Sequence, residues 1–174
     1  MPIIVCPLSR APELARERKP SRVVSLLDPD TPFPQLDGLV SHHLRVTVHD
    51  IEMKADGLDH PDETHISDIL KFVSAWDRGA PILIHCYAGI SRSTATAFIT
   101  ACAHNPDADE GAIARALREA SPTASPNRRI VALADTALKR GGRMSAAIEA
   151  IGRGSSWLDI GEAQPFTMPS RFGA

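Results

Sequence analysis

The segment from His85 to Ser93 constrains the fold of this chain more than any other part of the sequence. It follows a short apolar run, residues 81–84, which is typical of a buried parallel strand. Residues 94–103 then carry apolar side chains at helical spacing. The segment is therefore predicted to be a loop that joins a buried strand to the start of a helix in an α/β fold.

This linking loop has the features of an anion site. Free backbone N–H groups and the positive end of the helix dipole converge at a helix N-terminus. Thiols in such surroundings ionise readily, so Cys86 is predicted to be a nucleophile. Arg92 offers a planar fork of donors that can bind two phosphate oxygens at once. The residues between them are predicted to surround the phosphate: Tyr87, Ala88, Gly89, Ile90 and Ser91.

Three further residues of the segment have predicted supporting roles. Gly89 lacks a Cβ atom, so the backbone can turn sharply or approach the anion closely there. The Ser93 hydroxyl can donate a hydrogen bond to a departing thiolate. We expect the ring of His85 to orient the loop rather than to exchange protons with a substrate.

The segment resembles the signature His-Cys-x-x-Gly-x-x-Arg-Ser/Thr of the cysteine-dependent protein tyrosine and dual-specificity phosphatases at every fixed position. The resemblance extends over roughly residues 44–133. It implies a phosphatase-like fold, catalysis through a phosphocysteine on Cys86, and no metal ion or other cofactor. A buried inert cysteine beside a surface arginine is the competing interpretation, but packing alone does not require so many matched positions.

The resemblance also implies an upstream aspartate that protonates the leaving oxygen and then activates water, a role typically worth about 100- to 10,000-fold in rate. Asp50 is preferred because it follows an alternating, strand-like stretch at residues 44–48 and would lie at the sheet edge where the nucleophile emerges. Asp56 and Asp59, in a glycine-containing loop, remain alternatives, whereas Asp62 is typical of a helix start. The tyrosine-specific branch has a Trp-Pro pair before its acid, and this chain has none there.

A third motif, Ser-Pro-Asn at residues 125–127, extends the resemblance to dual-specificity phosphatases. In that family the asparagine steadies the nucleophile loop by hydrogen bonds, which implies a supporting role for Asn127. Asparagine is also a favoured residue immediately before a helix, so capping explains Asn127 equally well.

Composition and length indicate one small enzyme domain. With 174 residues, 43% of them hydrophobic, the chain can bury a sizeable core. We expect a domain over residues 1–151 and a tail over 152–174 whose apolar residues Trp157, Phe166 and Met168 either pack on the domain, contact a partner subunit or stay mobile. The oligomeric state stays open.

Charge and hydropathy exclude several other classes. The formal net charge is −2, and no block of lysine or arginine indicates nucleic-acid or membrane binding. No stretch approaches the roughly 20 apolar residues of a membrane span, and no leader pattern is visible. A cytoplasmic location is therefore expected.

The cysteines and histidines outside the loop do not form a predicted metal site. The three cysteines of the chain, Cys6, Cys86 and Cys102, have no metal-ligand spacing and form no even disulfide set. Cys6 and Cys102 are interpreted as core residues. His60 and His65 flank acidic residues, but a helix start explains that cluster better than a metal ion does.

Periodicity predicts an α/β fold with a central, mainly parallel sheet flanked by helices. The predicted strands are 3–6, 22–27, 42–48 and 82–85. The predicted helices are 12–18, 63–77, 93–103, 110–120, 128–139 and 144–151.

The predicted activity is hydrolysis of phosphate monoesters, on phosphotyrosine and also phosphoserine or phosphothreonine in proteins. The variable loop positions carry no basic residue, whereas phosphatases of multiply phosphorylated inositol lipids often have lysines there, so a phosphoprotein is preferred over a lipid. A small phosphorylated metabolite or nucleotide stays open. Two other classes also stay open: a phosphate-recognising binding module without turnover, and a thiol-based redox or sulfur-transfer protein.

Overall fold

The computed structural model describes residues 1–155 and 161–173, so Trp157 lies outside the described residues. The strands are β1 (Ile3–Pro7), β2 (Arg22–Leu27), β3 (His42–Thr47), β4 (Ile82–Cys86) and β5 (Phe166–Met168). The helices are α1 (Ala11–Arg18), α2 (Glu63–Ser74), α3 (Arg92–His104), α4 (Glu110–Ala120), α5 (Arg128–Ala137) and α6 (Arg143–Ile151). Within this described part, no helix combines the length and the apolarity needed to cross a lipid bilayer.

The strands form one sheet in the order β3-β2-β4-β1-β5. The first four run parallel, although β2 and β3 are joined by a loop rather than by a helix, and β5 alone is antiparallel. The predicted α/β class with a mainly parallel sheet is thus confirmed. Strand β5 was not predicted because its three residues are too short to show alternation; it places Met168 and Phe166 of the tail against β1.

Helices cover the two faces of the sheet unequally. One face carries alternate residues such as Val24, Ile82 and Ile84 and packs against α2 to α6 in the larger core. The other face, with Val23 and Leu83, packs against α1 and the loop after β2. Cys86 belongs to the larger core, whereas its neighbour His85 points by strand alternation to the smaller one.

Helix α3 is the central helix of the larger layer, and its residues from Arg92 to Cys102 are all buried. Its many alanines and threonines allow close packing on every side. The hydroxyls of Thr96 and Thr100 donate to the carbonyls of Arg92 and Thr96, which satisfies these buried groups within the helix. A helix enclosed in this way fixes the residues at its N-terminus in position.

Two helices end earlier than predicted. Helix α2 stops at Ser74 rather than at residue 77, and Trp76 then turns into the core and donates its indole N–H to the Ala80 carbonyl. Helix α5 stops at Ala137, and Lys139 has a left-handed backbone with φ of 55°. Both helix ends are therefore determined by the residues that follow the helix and not by its apolar pattern.

The loop after β4 lies directly against the end of β1 at Gly89. The Leu8 N–H donates to the Tyr87 carbonyl at 3.0 Å, and Gly89 has φ of 74°. A Cβ atom at Gly89 would lie 2.8 Å from the backbone nitrogen of Pro7 and 2.9 Å from the carbonyl carbon of Cys6. Glycine is therefore required there both for its backbone angle and for lack of space.

We expect Gly89→Ala to destabilise the protein more than Gly141→Ala does. Gly141 also has a positive φ, of 61°, but a Cβ there would meet no described atom within 4 Å. The control therefore carries only the left-handed backbone cost of about 1 to 2 kcal/mol, while Gly89→Ala adds an overpacking cost of about 1 to 3 kcal/mol. Urea unfolding of both variants measures the difference, and equal losses of unfolding free energy would contradict it.

Candidate active site

Cys86 is the last residue of β4, and its thiol is 1% exposed. The Gly89 N–H donates to its sulfur at 3.3 Å, and the Ser93 hydroxyl lies 3.1 Å from the same atom. The sulfur thus has two hydrogen-bond partners from the loop and from the first turn of α3. The Gly89 N–H donates to the sulfur, and the Ser93 hydroxyl is able to donate to it as well.

Arg92, the first residue of α3, is 3% exposed and anchors the other end of the loop. Its Nη1 donates to the Val48 carbonyl at 2.6 Å and to Asp28 Oδ1 at 3.1 Å, and its Nη2 donates to Asp28 Oδ2 at 3.4 Å. Its buried Nε has no acceptor among the described residues. The nearest acidic oxygen, Asp50 Oδ2, lies 3.8 Å away, which is too far for a hydrogen bond.

This unpaired Nε–H is the strongest sign of a ligand in the site. A buried donor without an acceptor costs about 1 to 3 kcal/mol, so a ligand oxygen placed there would remove a penalty already present. The two Nη atoms are held by the protein, which fixes the plane of the guanidinium and therefore the direction of Nε–H. The geometry suits an oxyanion bound next to Cys86.

Asp28 is a site residue that the sequence reasoning missed. It follows β2 directly, so it lies at the same sheet edge as the ends of β3 and β4. The argument that selected Asp50 after β3 applies equally to the first residue after β2, and that signal could have found Asp28. Its carboxylate orients Arg92 by a paired hydrogen bond.

Asp50 lies beside the loop, just beyond the end of β3. Its Oδ1 accepts hydrogen bonds from the Ser91 hydroxyl at 2.7 Å and from Asn127 Nδ2 at 2.9 Å. Its Oδ2 is the oxygen nearer to Arg92. The alternatives Asp56 and Asp59 are exposed residues of the following loop.

The remaining acidic candidate, Asp62, belongs to a helix cap. It is the N-cap of α2, where its carboxylate accepts the N–H of His65 at 3.0 Å, and His65 Nδ1 accepts the Asp62 N–H in return. The ring of His65 is thus used in a capping box.

In residues 1–155 and 161–173, no group of three or more His, Cys, Asp or Glu residues could hold a metal ion.

Asn127 both caps a helix and contacts the site. As the N-cap of α5, it accepts the Ile130 N–H through Oδ1 at 3.0 Å, while its Nδ2 donates to Asp50. Its backbone N–H donates to the Ser91 carbonyl at 3.3 Å, and the Ser125 N–H donates to the Ile90 carbonyl at 2.9 Å. The sequence left two roles open for Asn127, capping a helix and supporting the loop. The same side chain can have both, because Oδ1 caps α5 while Nδ2 contacts Asp50.

A cleft of about 520 Å³ opens beside the loop. Its walls come from the loop after β3, the nucleophile loop, the Ser-Pro-Asn motif and the chain after α6: Asp50, Ile51, Glu52, Met53, Lys54, Ala55, Ile90, Ser91, Ser125, Asn127 and Arg153. The tail covers another part of the loop, because the Ala163 N–H donates to the Ala88 carbonyl at 2.8 Å. The cleft therefore borders Asp50 and the residues Ile90 and Ser91 of the loop, whereas Cys86 and Arg92 are not part of its lining.

The other two thiols are core groups. Burial raises the pKa of Cys6 and the pKa of Cys102 to about 12 in each case. Both thiols are therefore protonated at neutral pH, in agreement with their interpretation as packing residues.

His85 is fully buried, and burial lowers its pKa from 6.5 to about 4. Its Nδ1 lies 3.4 Å from the Cys86 carbonyl oxygen, and its Nε2 lies 2.5 Å from the Ser25 hydroxyl. The ring is thus neutral at neutral pH and held at both nitrogens. This arrangement orients the start of the loop.

The low pKa of His85 predicts a loss of stability in mild acid. The unfolded chain takes up a proton as the pH falls through 6.5, but the folded ring does so only near pH 4. The stabilisation that comes from the neutral His85 ring is fully present above pH 6.5 and is lost as the pH falls toward 4. The free energy of unfolding therefore decreases by roughly 1 to 2 kcal/mol between pH 7 and pH 5. Urea unfolding at both pH values measures it. The difference shrinks in His85→Asn and persists in the control His60→Gln; an unchanged difference in His85→Asn would refute the assignment.

Comparison with known proteins agrees with this geometry. A family model described as protein-tyrosine phosphatase matches residues 48–122, a range that includes Asp50, Cys86 and Arg92. A search of curated proteins found no significant match.

Several solved structures share the fold. DUSP15 superposes with a TM-score of 0.59 at 20% identity, covering 84% of this chain and 89% of its own. Human DUSP28 gives 0.56 at 23% identity, covering 76% and 85%. The human tyrosine phosphatase-like serine/threonine/tyrosine-interacting protein gives 0.61 at 16% identity, covering 79% and 91%.

At these identities the structural neighbours show the fold alone, while the family match and the loop signature concern the site itself. The match includes the predicted nucleophile and the arginine six residues after it, within a sheet and helix arrangement like that of dual-specificity phosphatases. Residues 48–122 are thus similar to the protein-tyrosine phosphatase family, and the chain has the fold of dual-specificity phosphatases.

Proposed function

We propose that this protein is a metal-independent phosphatase that hydrolyses phosphate monoesters through a phosphocysteine on Cys86. The observation that carries the proposal is the buried, unpaired Nε–H of Arg92, held in place by Asp28 beside a thiol with two hydrogen-bond partners. An oxyanion accepts from that donor, and the thiol is positioned to attack it. A preorganised donor of this kind needs no reorganisation during the reaction.

The first step forms a sulfur–phosphorus bond and breaks the bond between phosphorus and the ester oxygen. Cys86 attacks as the thiolate, and Arg92 Nε–H with the loop N–H groups binds the phosphoryl oxygens. Asp50, protonated for this step, gives its proton to the departing alcohol or phenol. Its Oδ2 is the oxygen that neither Ser91 nor Asn127 engages, which makes it the available one.

The second step releases phosphate. Asp50 takes a proton from water, the water oxygen bonds to phosphorus, and the sulfur–phosphorus bond breaks. The Ser93 hydroxyl, 3.1 Å from the sulfur, donates to the departing thiolate. The enzyme thereby returns to its starting state, with Asp50 protonated again and Cys86 as the thiolate.

The proposed substrates are phosphoproteins, with phosphotyrosine and also phosphoserine or phosphothreonine as the reacting groups. The cleft beside the loop supports this, because it borders Asp50 and offers apolar contacts from Ile51, Met53 and Ile90. We propose a cytoplasmic location on the chemical ground that a reducing compartment preserves the free thiol of Cys86.

We expect the freshly reduced protein to release phosphate from an aryl phosphate in the presence of a chelator. Cys86→Ser abolishes this turnover, because the hydroxyl is a far weaker nucleophile. Cys102→Ser, which changes a thiol buried in the core away from the loop, serves as the control and retains turnover. Phosphate release is followed at mildly acidic and neutral pH.

Three outcomes would overturn the proposed function. If the wild-type protein binds vanadate but gives no turnover, it is a phosphate-binding module. If turnover persists in Cys86→Ser, the thiol is not the nucleophile. Transfer of sulfur from thiosulfate with higher efficiency than aryl phosphate hydrolysis would assign the loop to sulfur transfer instead.

We expect Asp50→Asn to lower kcat by about 100- to 10,000-fold, because the leaving oxygen then departs without a proton. The loss is steepest at low pH, where wild-type Asp50 acts as a proton donor, and vanadate binding survives. Asp56→Asn is the matched control, since it removes an exposed carboxylate of the next loop. A loss confined to Asp56→Asn would transfer the acid role to that residue.

A further inference from the structure

A buried row of three polar side chains crosses the sheet behind the nucleophile. Ser25 of β2 is fully buried, and its hydroxyl lies 2.5 Å from His85 Nε2 and 2.7 Å from His43 Nε2. His43 belongs to β3 and His85 to β4, so the row spans three adjacent parallel strands. It lies on the face that packs against α1, opposite to the side chain of Cys86.

The hydrogen bonds of this row have only one consistent direction. The Cys86 carbonyl oxygen can only accept, so His85 Nδ1 carries a proton and donates to it. A neutral His85 ring then has an unprotonated Nε2, which accepts the Ser25 hydroxyl proton. Ser25 has no second proton, so its oxygen accepts from His43 Nε2–H. Each donor in the row therefore fixes the tautomer of the next group.

Both rings are neutral at neutral pH, which this direction requires of His85. Burial lowers the pKa of His43 to about 4, with Arg45 acting in the same direction and Asp37 against it. Burial likewise lowers the pKa of His85 to about 4. His43 lines a cleft of about 370 Å³ together with Arg45 and Asp37, so the row begins at the protein surface and ends at the nucleophile loop.

We propose that Ser25 and His43 are positioning residues for the nucleophile, which act by holding His85 in the tautomer that donates to the Cys86 carbonyl. That hydrogen bond orients the peptide unit between Cys86 and Tyr87, where the nucleophile loop begins. It also withdraws electron density from the peptide and so favours negative charge on the adjacent sulfur. Without the Ser25 hydroxyl, the buried Nε2 of His85 has lost its donor, and the proton of the ring can move from Nδ1 to Nε2. The unprotonated Nδ1 then faces the Cys86 carbonyl oxygen, and the lone pairs of the two atoms repel each other.

The test uses two readouts, one of which does not need catalysis. The first is the rate of Cys86 alkylation by iodoacetamide as a function of pH, with the modified residue identified by mass spectrometry. The second is kcat and KM for an aryl phosphate. The effect on turnover rests on the proposed function, whereas the alkylation of Cys86 does not. A shifted alkylation profile in a protein without turnover therefore supports the positioning role of Ser25 and His43 and overturns only the proposed phosphatase activity.

We expect Ser25→Ala to move the midpoint of alkylation to higher pH and to slow it about 2- to 10-fold below that midpoint, as the loss of one hydrogen bond implies. The variant lowers kcat by a similar factor and changes KM little. Ser25→Thr keeps the hydroxyl and restores both readouts. Wild-type alkylation in Ser25→Ala, or equal impairment in Ser25→Thr, would overturn the proposal, because the hydroxyl would then not be the cause.

A second pair keeps the proposal testable if Ser25→Ala does not fold. His43→Leu removes the donor to Ser25 at a partly buried position of the edge strand β3, whereas His43→Gln retains an N–H donor. We expect His43→Leu to shift the alkylation profile in the same direction and by a smaller factor, and His43→Gln to restore it. Identical profiles for the two His43 variants would overturn the role of His43.

Discussion

The buried guanidinium of Arg92 joins the parts of the structure on which the site depends. It begins α3, contacts the Val48 carbonyl just beyond β3, and pairs with Asp28 just beyond β2. The same residue closes the loop that starts at Cys86 on β4. Because a buried charge is costly unless it is paired and hydrogen-bonded, these contacts bring three strand ends and one helix N-terminus into a single arrangement. Its Nε has no acceptor among the described residues, and the N–H of that atom is the group that a bound oxyanion would use.

The two faces of the sheet contribute differently to this arrangement. The larger layer supplies the enclosed helix α3, which holds Arg92 and Ser93 at its N-terminus. The smaller layer contains the row from His43 through Ser25 to His85, which reaches the nucleophile through its backbone carbonyl. Strand alternation makes this division possible, since neighbouring residues of β4 point to opposite faces. The thiol of Cys86 and the ring that contacts the Cys86 carbonyl therefore lie in different layers.

Most of the fold could be predicted because its signals are local. The four parallel strands and six helices follow from apolar runs and helical periodicity, and they were predicted to within a few residues at each end. Strand β5 could not be predicted, because three residues carry no period and its position depends on pairing with β1. The early end of α2 was also missed, since Trp76 is drawn into the core by contacts distant in sequence.

For the site, the sequence by itself determined which residues form the loop: Cys86, Gly89, Arg92 and Ser93 are close in the chain, and a strand followed by a helix leaves them few arrangements. It also indicated Asp50, through its position at a strand end. Only the tertiary structure decided that Asp28 orients Arg92, that Asn127 both caps α5 and holds Asp50, and that Ser25 links two histidines. These contacts join residues far apart in the chain. Their hydrogen bonds depend on distances across neighbouring strands and helices, which no local pattern records.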